Sequence, residues 1–230
     1  MLKVAIARYT NGDAFIVGVK PEDVVVHLDN GHGTRAYTIG KCSADGRYYE
    51  GEWSRMMVPK IASALKEFGF GVNIVVPEDR DIPLLERCRR ANDYMAKHPD
   101  KYHIFLSVHT NATPKEQCVN GWNDTNTGLC VYVARNASES SKVLACNVYD
   151  AGAAMGLKGN RSVPSQHYWQ AGFTVISDTK MPAILTESAF HNNHKDVDWL
   201  LSEAGQETVV NYHVAGVCKT FGIPYSLCVA

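Results

Sequence analysis

The run "HIFLSVH" (103–109) sets Ile, Phe, Leu and Val almost without interruption. A surface strand alternates apolar and polar residues, so a run like this predicts a strand buried on both faces of a sheet. "VVVHLD" (24–29) and "PAILTES" (182–188) have the same character, and between such runs lie longer stretches of helical spacing. That alternation predicts an α/β chain with a mostly parallel central sheet and helices on both faces.

Six strands are expected: 24–29, "GVNIVVP" (71–77), 103–109, "LCVYVA" (129–134), "FTVIS" (173–177) and 182–188. In "GEWSRMMVPKIASALKEFGF" (51–70), Trp53, Met57, Ile61, Leu65 and Phe68 share one helical face, with Gly69 as a stop. Pro59 lies inside that pattern, so the helix is expected to kink there or to begin near Met57. Further helices are read over 84–98, over 138–156 with Ser138 as N-cap, from "VDWLLS", and over 206–222. The turn signal "TNGD" between two apolar stretches marks residues 1–23 as an added hairpin. One catalytic domain then spans 24–222, and 223–230 form a tail.

Composition removes several function classes. A net charge of -1 over 230 residues leaves no footprint for nucleic acid or for an anionic membrane surface. No apolar run reaches the length of a membrane span, and the start of the chain, broken by Lys3, Arg8, Asn11 and Asp13, lacks a secretory core. Seven scattered cysteines without a C-x-x-C pair argue against a disulfide framework or a thiolate zinc site, and for reduced thiols. Synthesis in the cytoplasm without a signal peptide is expected, and a monomer is favoured.

The chemistry gathers at strand ends. His32, in "DNGHG", follows the first strand; His109 ends the third; Glu187 stands near the end of the last. In an open parallel sheet, ligands bind beyond the carboxyl ends of the strands. A catalytic zinc takes three protein ligands, often two histidines and a carboxylate, and a second carboxylate nearby can accept the proton of an acidified water. "YYEGEWSR" offers Glu50 and Glu52 as the third ligand. Asp29 suits a partner that orients a ligand histidine.

"VVVHLDNGHG", the acidic segment before the first helix, "LLERCRRAND", "HIFLSVHTNA" and "TKMPAILTESAFHNN" occur in that order. Together they resemble the zinc-dependent N-acetylmuramoyl-L-alanine amidases of the Amidase_3 type, over roughly residues 24–222. The resemblance implies one zinc held by His32, Glu50 and His109, with Glu52 as the rival to Glu50, and Glu187 as the catalytic base. It implies peptidoglycan, glycan strand and stem peptide, as substrate, and action at the cell wall after lysis or non-classical release. "DNGHG" and "ESAF" depart from the commoner D-A-G-H-G and E-x-G-F without removing a functional group.

Two other functions stay open: a zinc peptidase or carboxypeptidase cutting within the stem peptide, and a wall-binding module without turnover. "HNNHKD" invites a second metal at His191 and His194, against the plainer reading of a solvated turn that caps the next helix. Tyr168 and Trp169 divide evenly between a glycan groove and the core, and Trp122 in a long polar loop is the better groove residue. Arg55, Arg87 and Asn111 are polar residues able to position substrate or ligands.

Overall fold

A computed structural model describes residues 4–8 and 10–225. The central sheet has six strands: β3 (Val24–Asp29), β4 (Gly71–Ile74), β5 (Tyr102–Asn111), β6 (Leu129–Ala134), β7 (Trp169–Ala171) and β8 (Ala183–Phe190), in the order β4-β3-β5-β8-β6-β7. β4, β3, β5 and β8 run parallel, β6 is antiparallel to β8, and β7 is parallel to β6. The α/β reading with a mostly parallel sheet holds. Every residue of β3 is buried, as its unbroken apolar run requires.

Helices α1 (Glu50–Glu67), α3 (Glu139–Gly152) and α6 (Glu203–Thr220) cover one face of the sheet. There Trp53, Met57, Ile61 and Leu65 meet Val26, Leu28, Ile104 and Leu106 in the larger core. Helices α2 (Leu84–Lys97) and α4 (Thr174–Ser177) cover the other face, where Cys88, Ala91, Val175 and Ile176 pack with Phe105 and Leu185. A short helix, α5 (His194–Leu201), with its N-terminus capped by Asn193, leads into α6. Ser138 caps α3 as expected.

The N-terminal hairpin is present: β1 (Ala5–Arg8) pairs antiparallel with β2 (Ala14–Val17), and Ile16 is buried in the larger core. Residues 1–3 and 9 of that extension, and 226–230 of the tail, lie outside the described residues. No disulfide joins the described cysteines, and Cys88, Cys130 and Cys218 are buried. No helix among the described residues is long and apolar enough to cross a membrane.

One expectation is corrected, and one of two alternatives is removed. Residues 173–177 form no strand: the edge strand is Trp169–Ala171, and "TVIS" makes the helical turn α4. A short apolar run carries no period that separates strand from helix, and burial of Val175 and Ile176 beside α2 decides it. Helix α1 does not start near Met57: it runs from Glu50 through Glu67 with Pro59 inside it. Its first turn buries Glu50, Gly51, Trp53 and Ser54, and that packing outweighs the hydrogen bond Pro59 cannot donate.

Candidate active site and metal centre

Strand register assembles the site. Asp29 lies beside Ser107 in the β3–β5 pair, and His109 lies beside Glu187 in the β5–β8 pair. The ends of three parallel strands thus deliver their polar residues to one edge of the sheet. Past β3 the chain turns at Gly31, whose φ of 50° places it in the left-handed region. A Cβ on Gly31 would stand 2.9 Å from His109 Cε1, so only glycine lets this turn lie against the imidazole.

Helix α1 brings in the carboxylate. Its Gly51 packs so closely on the turn that a Cβ there would meet the Gly33 carbonyl oxygen at 1.8 Å. Arg55, one turn later, donates to the carbonyls of His32, Gly51 and Glu78, tying the His32 segment to the helix. Glu50 is therefore buried directly behind both histidines. One Nδ1 or Nε2 atom of His32 and of His109 and one oxygen of Glu50 lie within 4.8 Å of one another. His109 Nδ1 is 2.9 Å from Glu50 Oε1, and His32 Nε2 is 3.6 Å from Glu50 Oε2. Glu52 lies elsewhere: Arg35 Nε and Nη2 hold its carboxylate at 2.5 and 2.8 Å.

Hydrogen bonds fix the tautomer of His109. Arg87 donates through Nη1 to Asp29 Oδ1 at 2.7 Å, and the Ser107 hydroxyl donates to Asp29 Oδ2 at 2.6 Å. With its proton committed, Ser107 Oγ can only accept from His109 Nε2–H, 2.9 Å away. Nδ1 then directs its lone pair at Glu50 Oε1. Two lone-pair atoms at 2.9 Å need a cation between them, either a proton or a metal ion. Two imidazoles and a carboxylate are also the donor set of many catalytic zinc sites, so these residues fit a divalent metal.

Burial and charge shape the protonation states. Burial raises the Glu50 carboxyl, but the hydrogen bond and charge of His109, with His32 and His191, hold it below the usual range. Burial disfavours charged His109, yet Glu50 outweighs it and raises the imidazole. Burial takes His32 down to about 4, so it presents a free lone pair at neutral pH. Glu187 is raised, chiefly by burial and also by the Glu50 charge. Its Oε2 is buried without a hydrogen-bond partner among the described residues. His32, His109 and Glu187 line one cleft of about 720 Å³, with Lys41, Asp81 and Phe173 on its walls.

A family model described as N-acetylmuramoyl-L-alanine amidase matches residues 26–219. This chain belongs to the N-acetylmuramoyl-L-alanine amidase family. The endolysin of Bacillus phage SPP1 is 26% identical over 204 residues; the match covers 86% of this chain and 66%, just under two thirds, of the endolysin. Among solved structures, an N-acetylmuramoyl-L-alanine amidase from Clostridium difficile 630 superposes with a TM-score of 0.71 at 24% identity, over 86% of this chain and 96% of that one. The corresponding enzyme of Mycobacterium smegmatis gives 0.72 at 18% identity, over 89% and 99%. At these identities the two structures bear on the fold.

Several residues of this amidase-family chain stand where the sequence did not put them. His191 is no part of a solvated turn: it is buried, stacks on Tyr48, sits 3.2 Å from Thr110 Oγ1, and lies 3.7 Å from Glu50 Oε2. Its place four residues after Glu187 was the available signal. His194 points elsewhere, stacked on Trp122 and bonded to Asp124 at 3.0 Å, so the two histidines do not share a metal. Trp122 packs against the larger core and does not line the cleft. Tyr168 and Trp169 pack on that core, one of the two readings the sequence left evenly open. Asp29 reaches His109 through Ser107, not directly.

Proposed function

We propose that this chain is a metal-dependent peptidoglycan amidase that hydrolyses the amide between N-acetylmuramic acid and L-alanine. The observation that carries the reading is the cluster of His32, Glu50 and His109, with Glu187 in the same cleft, in a chain of the amidase family. His32, Glu50 and His109 would hold the metal, and zinc suits two imidazoles and one carboxylate. A divalent ion there supplies a Lewis acid that polarises the scissile carbonyl and acidifies a water.

The chain's own groups do the rest. Ser107, Asp29 and Arg87 keep Nε2 of His109 protonated and its Nδ1 free. Arg55 holds the His32 segment against α1 by donating to the His32 and Gly51 carbonyls. Glu187 takes a proton from the attacking water at its free oxygen and returns it to the departing nitrogen of L-alanine as the carbon–nitrogen bond breaks. A carboxyl raised by burial suits both halves of that transfer near neutral pH. The cleft then releases a muramoyl carboxylate and a stem peptide with a free amino terminus. The alternative zinc peptidase would cut within the stem peptide.

Digestion of purified cell walls separates these outcomes. Amidase action yields new L-alanine amino termini and intact stem peptides; internal stem-peptide ends, or binding without release, would overturn the reading. Glu187→Gln is expected to keep bound zinc and lose on the order of 10³-fold in turnover. Unchanged turnover would remove Glu187 from the base role.

A further inference from the structure

The cleft has two cationic side chains on its walls among the described residues, Lys41 and Arg87. Arg87 is buried and committed: it donates to Asp29 at 2.7 Å, Asp81 at 2.9 Å and the Ile82 carbonyl at 2.7 Å. Lys41 is exposed and forms no ion pair among the described residues. Its backbone is nevertheless fixed, because its carbonyl accepts the Glu50 N–H at 2.9 Å and the next residue, Cys42, bridges to Tyr49. The root of this side chain is thus anchored at the start of α1, beside the proposed metal ligand. Its charge reaches His32, Glu187 and His191.

Asp29 and Asp81 already engage Arg87 and Glu50 faces His109, so Lys41 is the cleft's cationic side chain left to meet an anionic ligand. If the amide of L-alanine is cut here, the second stem residue is an acidic one linked through its side chain. Its α-carboxylate is free in some walls and amidated in others. Two residues of extended chain span at most about 7 Å, so that group falls close to the reacting centre. We propose that Lys41 forms a carboxylate subsite of this cleft, pairing with the free α-carboxylate of the second stem residue and favouring substrates in which it is not amidated. The inference rests on the amidase reading above and adds to it a substrate class. A lysine on a flexible stem suits a single carboxylate oxygen, without the fixed two-point geometry of arginine.

The test uses the zinc-loaded full chain and two soluble disaccharide-tripeptides identical except for a carboxylate or carboxamide at that position. Release of the L-alanine amino terminus is followed. The wild type should favour the acid form by roughly tenfold in kcat/KM, and the preference should shrink with added salt. Lys41→Gln should raise KM on the acid form with kcat held, and should leave the amide form within twofold; Lys41→Glu should reverse the preference. Equal losses on both substrates, or a preference that survives Lys41→Gln, would overturn the subsite while leaving the amidase reading standing. Cleavage of neither substrate at the muramoyl amide would overturn both.

Discussion

Strands β3 and β5, with the turn that follows β3, carry two histidine pairs, and the pairs have opposite chemistry. Toward the amino ends, His27 and His103 are buried with Nε2 and Nδ1 2.9 Å apart. The carbonyl of His98 must accept from His103 Nε2–H, so His103 Nδ1 accepts from His27 Nε2–H, and His27 Nδ1 accepts from the Asn73 amide. Every ring nitrogen is matched with neutral partners alone. At the carboxyl edge, His32 and His109 converge on a buried carboxylate, lone pairs face one another, and Glu187 Oε2 has no partner. The first pair is complete without a ligand; the second is complete only with a cation. Histidine content does not separate a structural pair from a site, whereas polar satisfaction does.

Breaking the incomplete pair should have the largest consequences. Glu50→Gln removes the charge that draws a metal between the imidazoles. It is expected to abolish stoichiometric zinc binding, read by metal analysis after gel filtration, with turnover down on the order of 10³-fold. Glu52→Gln, which loses only the surface bond to Arg35, should retain zinc and stay within about twofold. Equal losses in the two variants would erase the distinction drawn between them.

Ser107→Ala sharpens the comparison by leaving every proposed ligand in place. Without the hydroxyl, His109 Nε2–H loses its acceptor and the ring loses its fixed tautomer. Zinc affinity measured by chelator competition should fall by roughly 10- to 100-fold. Unchanged affinity would mean that packing against Gly31 alone orients the ring.

The complete pair should matter for stability alone. His27→Leu leaves His103 Nδ1 and the Asn73 amide unmatched and should cost about 1–3 kcal/mol in urea unfolding at pH 8, with zinc affinity unchanged. Burial, with the neighbouring His103 and His98, lowers folded His27 to about 3, below its ordinary 6.5. The unfolded chain therefore takes up this proton first, and the contribution present above 6.5 is lost as pH falls toward 3. The deficit of His27→Leu relative to wild type should narrow across that window, and a widening deficit would contradict the assignment.

Much of this was legible in the sequence for a physical reason. Strands buried on both faces spell themselves as unbroken apolar runs, so β3, β5, β6 and β8 were visible, and their carboxyl ends named His32, His109 and Glu187. The choice of Glu50 over Glu52 rested on resemblance; in the structure, the packing of Gly51 on Gly33 sets which carboxylate turns inward. His191 escaped because its burial depends on tertiary contacts with Tyr48 and Thr110, far away in sequence. Ser107 escaped because a serine inside an apolar strand has no signal of its own until register puts it beside Asp29. Edge strand β7, three residues long, is too short to carry a period.

The most direct measurement is anomalous scattering at the zinc edge from crystals of the zinc-loaded protein. A single peak among His32 Nε2, His109 Nδ1 and a Glu50 oxygen, with none at His27 and His103, is the expected result. A peak between His27 and His103, or coordination through Glu52 in place of Glu50, would contradict it.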